Sequence, residues 1–135
     1  CIDFHLGHNK KTIPAAILEK TGNLLGEGCT ICRDVCPKNK KLAPSTEFTT
    51  PHHLFYPPLL NVFNMTDEEW ESGYALTLMG FFLMEKRYLQ RNAAIALGNF
   101  GDKRALKTIE RYLAAADDEL RGYAEWALDK IKQVN

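Results

Sequence analysis

Three cysteines in the first third of the chain have the residue type and the spacing of metal ligands. They are Cys29, Cys32 and Cys36, and Pro37 follows the last of them. The pattern C-x2-C-x3-C-P is the end of the longer cysteine run that holds iron–sulfur clusters. Thiolates suit iron because both are soft, and the proline can turn the chain so that the last sulfur reaches a second cluster. The spacing therefore predicts iron–sulfur binding.

The run at residues 29–37 has one cysteine fewer than the full cluster-binding run. The fourth cysteine, Cys1, is the first residue of the sequence, so we expect the run to be part of a cluster-binding module cut from a longer protein. Zinc is the alternative metal, because it also binds thiolates and His5 or His8 could complete its ligands. Disulfides are disfavoured, since three of the cysteines lie within eight residues and the chain has ample apolar residues for a core.

The composition gives no overall preference for a charged partner. The 17 Lys and Arg residues balance the 17 Asp and Glu residues, so contact with a nucleic acid or an anionic membrane would need a local patch. No apolar run approaches the length of a membrane span. The cysteine usage favours a reducing compartment, and we therefore expect a cytoplasmic protein.

The chain divides into parts that differ in their sequence pattern. Residues 1–44 are irregular apart from a short helix predicted over residues 13–20, with Pro14 in its first turn. Residues 45–65 have the composition of an ordered connector. Residues 66–135 are helical in pattern to their end. The expected fold is therefore mainly α, with an irregular cysteine-bearing segment packed on a helical repeat.

The helical part carries a start signal and an internal repeat. Thr66 and Glu69 have the spacing of a capping box, and Gly101 is a plausible helix stop. Five apolar positions recur at an offset of 31 residues, within the range of helical solenoids. We expect both sets to pack in the core. They are Leu89, Ala93, Ala96, Leu97 and Phe100, and Leu120, Ala124, Ala127, Leu128 and Ile131. Two repeats are too few to stand alone, so we expect one face to pack on the first part of the chain or on another domain.

Lys86, Arg87 and Arg91 are candidate nucleic-acid-binding residues. Their spacing places them close together on one flank of a helix, where they could grip phosphate. The alternative is a solvated face paired with Glu85 or with carboxylates of a neighbouring helix. Asn92, at the start of an otherwise apolar helix, is expected to cap a neighbouring turn.

Taken in order, these segments resemble the epoxyqueuosine reductases. The resemblance covers nearly all of the chain, which looks like the C-terminal part of such an enzyme. Its residues are Cys1-Ile2, Ile13-Pro14, Gly22-Asn23, Val35-Cys36-Pro37 with Asn39, and Arg91-Asn92-Ala93-Ala94-Ile95-Ala96-Leu97-Gly98-Asn99. The last string is the most specific part. The resemblance implies a ferredoxin-like 4Fe-4S segment at 1–44 and a HEAT-like repeat at 66–135.

The resemblance also implies a ligand set and cofactors. Cys1, Cys29 and Cys32 would hold one 4Fe-4S cluster together with an upstream cysteine. Cys36 would be the crossing ligand to a second cluster, whose other cysteines also lie upstream. An upstream catalytic domain would bind cobalamin, which reduces the epoxide of the queuosine precursor in transfer RNA with electrons from the clusters.

The role implied for this chain is electron transfer and substrate docking. Its helical repeat would help hold the tRNA anticodon stem-loop, and a separate donor would reduce the clusters. The sequence itself contains no recognisable constellation for nucleophilic or phosphate chemistry, so we assign no catalytic residue. The alternative function is a non-catalytic HEAT-like protein-interaction module with a structural zinc site.

Overall fold

The computed structural model describes residues 1–26, 29–41, 43 and 57–134. Within those ranges the chain is mainly helical and contains no strand, which confirms the predicted fold class. None of the described helices combines the length and the apolar character needed to span a membrane.

The elements before the long helices are short. A π-helical turn occupies Phe4–His8, and α1 (Ala15–Leu18) continues into a 3-10 turn at Glu19–Thr21. The later elements are α2 (Ile31–Asp34), a 3-10 turn at Asn39–Lys41, α3 (Leu59–Val62), α4 (Asp67–Glu69) with a π-helical turn at Trp70–Tyr74, and α5 (Leu78–Leu83).

Three longer helices form the repeat. They are α6 (Lys86–Phe100), α7 (Leu106–Ala115), which follows a 3-10 turn at Lys103–Ala105, and α8 (Asp118–Gln133). Gly101 ends α6 with a φ of 65°, and its N–H donates to the carbonyl of Leu97 at 3.0 Å. The predicted helix stop is therefore confirmed.

The predicted capping box is also confirmed. The hydroxyl of Thr66 accepts a hydrogen bond from the N–H of Glu69 at 3.1 Å, and the Glu69 carboxylate accepts one from the N–H of Thr66 at 2.8 Å. The two bonds satisfy donors that the first turn of α4 would otherwise leave open.

The 31-residue repeat brings α6 and α8 into close contact, and α7 also packs on α8. Every repeat residue is buried except Phe100, which is 59% exposed. The expectation that Phe100 is a core counterpart of Ile131 is therefore wrong: it lies at the end of α6, next to the stop at Gly101. Between the two helices, a Cβ added to Gly98 would lie 2.7 Å from the Trp126 ring.

The N-terminal segment packs on this repeat. Leu6, Ile13 and Leu18 share an apolar cluster with Ile95 of α6 and Leu120 of α8, among other residues. Apolar burial stabilises by about 25 cal/mol per Å², so this cluster holds the N-terminal segment against the helices. One face of the repeat therefore packs on the first part of the chain, as expected.

The predicted connector at 45–65 is partly a helix. Its residues 45–56 lie outside the described ranges, but α3 lies within the rest and packs on α6. Val62 is completely buried there. The apolar run that follows Pro57 and Pro58 forms this helix, because it has a core face to bury.

Candidate cysteine site and its supporting helix

All four predicted ligands are free cysteines. Cys29 precedes α2, Cys32 lies within it and Cys36 follows it, whereas Cys1 precedes the π-helical turn at Phe4–His8. Cys1 and Cys32 are exposed, and the other two are half-buried. Cysteine thiols that a cofactor can reach are the donor set that an iron–sulfur cluster uses, so the chemistry of these residues fits that group.

The cysteine loop is closed by local hydrogen bonds. The N–H of Asp34 donates to the carbonyl of Thr30 at 2.8 Å, and the side-chain amide of Asn39 donates to the carbonyl of Arg33 at 3.1 Å. The loop is thus shaped by its own residues. Among the described residues, no three His, Cys, Asp or Glu side chains form a group that could hold a metal ion.

Arg91 requires a correction. Its side chain is 1% exposed, and its guanidinium donates to the carbonyls of Leu6 at 2.8 Å and Asn9 at 3.1 Å. It also lies over the rings of Tyr88 and Tyr123, and burial lowers its pKa from the ordinary value. A guanidinium enclosed in this way supports the fold and cannot reach a phosphate on the surface.

Lys86 and Arg87 are nearer the surface, but carboxylates already neutralise them. Lys86 pairs with Asp67 and donates to the carbonyl of Met65 at 3.0 Å. Arg87 pairs with Glu85, and with Asp117 and Glu119 of the neighbouring chain segment, at 2.7–3.3 Å. The three cations therefore do not form one open basic patch, and the paired-face alternative describes Lys86 and Arg87.

A different set of cations is open to solvent on one side of the repeat. Lys103, Lys107 and Arg111 are exposed and follow one another at helical spacing along α7 and the turn before it. None of them forms an ion pair with another described residue. The sequence alone does not single out these three residues, because the flanks of a helix look alike until its buried face is known.

Two further polar residues, Lys10 and Asn92, bind backbone carbonyls that are distant in the chain, which the sequence did not indicate. Lys10 donates to the carbonyls of Gly7 and Phe82, each at 2.7 Å. Asn92 is completely buried and donates to the carbonyls of Leu6 and Leu25. The expected cap of a neighbouring turn is thus wrong for Asn92, whose partners lie 67 or more residues away in the chain.

Comparisons with known proteins find similarity to one kind of enzyme. No family model matches the chain. Epoxyqueuosine reductase of Bacillus cereus is 34% identical to it over 97% of this chain and 34% of that protein. The structure of epoxyqueuosine reductase from Streptococcus thermophilus matches the fold with a TM-score of 0.85 at 24% identity, over 100% of this chain and 35% of that one.

A second solved structure is an epoxyqueuosine reductase with a tRNA-Tyr epoxyqueuosine-modified tRNA stem-loop. It matches with a TM-score of 0.81 at 29% identity, over 97% of this chain and 35% of that one. The chain thus spans about a third of the length of the relatives that it matches. Over nearly all of its own length, the chain is similar in sequence and in fold to epoxyqueuosine reductases.

Proposed function

We propose that this chain is the cysteine-bearing electron-transfer and substrate-docking part of an oxidoreductase that completes queuosine in transfer RNA. One observation carries the proposal: the similarity to epoxyqueuosine reductases extends over 97% of the chain, including the segment with the ferredoxin-type cysteine spacing. Four free cysteines in that chain agree with it.

Each cysteine has a role in the proposal. Cys1, Cys29 and Cys32 bind one 4Fe-4S cluster with a further cysteine from elsewhere in the protein, and Cys36 binds a second cluster. Clusters of this kind carry single electrons at potentials set by charge, hydrogen bonds and exposure. A catalytic domain outside these residues would hold cobalamin, whose chemistry would be the reduction of the epoxide, with electrons from a separate donor.

The proposed RNA contact uses the open cations on α7. A relative has been solved with a tRNA stem-loop, which supports an RNA partner for this chain. Lys103, Lys107 and Arg111 are exposed and have no carboxylate partner among the described residues, so their charge is available to phosphate. The carboxylates that pair with Lys86 and Arg87 would have to be displaced before those side chains could bind RNA.

The test uses a bacterial strain that lacks its own epoxyqueuosine reductase. The natural polypeptide that contains these residues is expressed there, the transfer RNA is digested, and its nucleosides are separated and identified by mass spectrometry. We expect epoxyqueuosine to be replaced by queuosine. Persistence of epoxyqueuosine, with the protein present and folded, would refute the proposed substrate.

A matched pair of variants tests the role of the cysteines in the same strain. Cys32→Ser removes a proposed cluster ligand, whereas Ser72→Cys adds a thiol at an exposed position of the Trp70–Tyr74 turn and removes none. We expect the first variant to lose queuosine formation and the second to retain it. Full activity of Cys32→Ser would contradict the proposed ligand set.

A further inference from the structure

A pair of adjacent buried residues on α6 joins the two chain segments that carry cysteines. Asn92 is completely buried, and its side-chain amide donates to the carbonyl of Leu6 at 3.0 Å and to that of Leu25 at 2.8 Å. Arg91 donates to the same Leu6 carbonyl at 2.8 Å. Its Nε also donates to the side-chain oxygen of Asn92 at 3.0 Å. One side-chain amide thus bridges two backbone segments, and the arginine fixes its orientation.

The two bridged segments also touch each other directly. A Cβ added to Gly7 would lie 2.7 Å from the carbonyl oxygen of Gly26. A Cβ added to Gly26 would lie 3.4 Å from the amide nitrogen of Asn92. The backbones at Gly7 and Gly26 are therefore in contact beside the amide of Asn92.

The bridge lies a short way along the chain from two of the thiols. Leu6 is five residues from Cys1, and Leu25 is four residues from Cys29. Four or five residues can span at most ~14 to ~18 Å even when fully extended. A fixed distance between Leu6 and Leu25 therefore limits how far apart Cys1 and Cys29 can move.

We infer that Arg91 and Asn92 are positioning residues that set the placement of Cys1 relative to Cys29. The consequence for a cluster rests on the proposed function, in which both thiolates bind the same iron–sulfur group. The positioning itself is a property of this chain's own hydrogen bonds. It gives the Arg91-Asn92 dipeptide a role in cofactor assembly although neither residue touches the cysteines.

Asn92→Asp is the sharpest change. Aspartate has the same shape, but its carboxyl group is only an acceptor when ionised and has a single O–H donor when protonated, so it cannot donate to the carbonyls of Leu6 and Leu25 together. Asn99→Asp is the matched control. Asn99 also lies on α6 and donates to two backbone carbonyls, but these belong to Leu18 and Gly22, which are farther along the chain from both cysteines.

The primary measurement needs no cluster. In the Cys32→Ser/Cys36→Ser background of the full 135-residue chain, nitroxide labels are attached to Cys1 and Cys29, and their dipolar broadening is recorded in frozen solution. We expect strong broadening from a short, narrow distance distribution in this parent and in Asn99→Asp. Asn92→Asp should lose at least half of the broadening. A parent without a defined distance, or an Asn92→Asp variant that keeps it, would overturn the inference.

A second variant covers the case in which Asn92→Asp does not fold, as judged by its far-ultraviolet circular dichroism. Arg91→Lys retains the positive charge, but a single ammonium cannot reach both carbonyls and the Asn92 oxygen. We expect a partial loss of broadening in this folded variant, and unchanged broadening would again count against the inference.

A final measurement distinguishes a failure of the inference from a failure of the proposed function. The natural polypeptide that contains these residues is purified without oxygen, and the electron paramagnetic resonance spectrum of its reduced form is compared with that of Asn92→Asp and Asn99→Asp. A changed cluster signal in Asn92→Asp alone supports positioning at the metal. If the wild type binds no iron, the proposed function fails, whereas the nitroxide result still decides the positioning.

Discussion

The backbones of Gly7 and Gly26 are in contact, with 2.7 Å between the carbonyl oxygen of Gly26 and the place where a Cβ of residue 7 would lie. Gly26 itself has a φ of 125°, which L side chains rarely adopt. Glycine at both positions therefore allows the Phe4–His8 turn to lie against the segment that leads to the cysteine loop.

Gly7→Ala should destabilise the protein, because the new methyl group would push two backbones apart. Overpacking of this kind costs about 1–3 kcal/mol in the free energy of unfolding, which urea denaturation would measure. Gly73→Ala is the control, since no atom lies within 4 Å of its added Cβ. Equal loss of stability in both variants would contradict the close contact between Gly7 and Gly26.

The close contact between α6 and α8 leads to a prediction for the stability effect of substituting Gly98. A Cβ on Gly98 would lie 2.7 Å from the Trp126 ring and 3.0 Å from the Cα of Ala127. We expect Gly98→Ala to lower the free energy of unfolding by about 1 kcal/mol, because overpacking outweighs the gain in helix propensity. Gly122→Ala, in an open position of α8, should raise it by up to about 1 kcal/mol. Thermal unfolding of both variants tests the pair, and a more stable Gly98→Ala would refute the prediction.

The raised pKa of the Tyr112 phenol predicts a loss of stability at alkaline pH. Burial, and to a lesser extent Asp117, raises the pKa of its phenol to about 12, whereas an unfolded tyrosine has a pKa of about 10. The unfolded chain therefore releases this proton first as pH rises. Its contribution to stability is complete below pH ~10 and is lost progressively towards pH ~12, by about 1.4 kcal/mol per unit of pKa difference.

Urea denaturation between pH 9 and 12 measures this effect by comparison with Tyr112→Phe. The phenylalanine variant retains the ring and every other titrating group, so the difference between the two proteins isolates the Tyr112 proton. We expect the wild type to lose more stability than the variant over this pH interval. Parallel stability curves would show that the Tyr112 phenol titrates normally.

The proposed RNA surface predicts a change in salt dependence. Replacing Lys103, Lys107 and Arg111 by alanine removes up to three phosphate contacts, each worth about 0.7–0.9 in the slope of log affinity against log salt concentration. For the natural polypeptide and an anticodon stem-loop, fluorescence anisotropy should therefore show a slope smaller by about 2. Lys86→Ala/Arg87→Ala should leave the slope nearly unchanged, because carboxylates already neutralise both side chains. A larger decrease in slope for Lys86→Ala/Arg87→Ala than for the triple variant would contradict the proposed RNA surface on α7. It would instead favour RNA contact at Lys86 and Arg87.

Features that depend on neighbours in the sequence were predictable. The capping box of Thr66 and Glu69, the stop at Gly101 and the buried face of the repeat each follow from local spacing, and the structure has them. Phe100 was misplaced, because an offset rule cannot tell where a helix end leaves the core.

The role of Arg91 could not be predicted from its neighbours. A cation beside Arg87 on the same helix suggests a surface patch, but Arg91 points into the core, where the carbonyls of Leu6 and Asn9 accept its hydrogen bonds. Those acceptors lie more than 80 residues away in the chain. Only the packing of the N-terminal segment on α6 supplies them, and helical periodicity contains no information about that packing.

The metal content of the natural polypeptide that contains these residues tests the central claim most directly. It should be expressed and purified without oxygen, and its iron, acid-labile sulfide, cobalt and zinc measured per chain. Two 4Fe-4S clusters predict about eight irons with matching sulfide, and we expect roughly half of that iron to be lost in Cys32→Ser. A colourless protein that contains zinc and no iron would contradict the account.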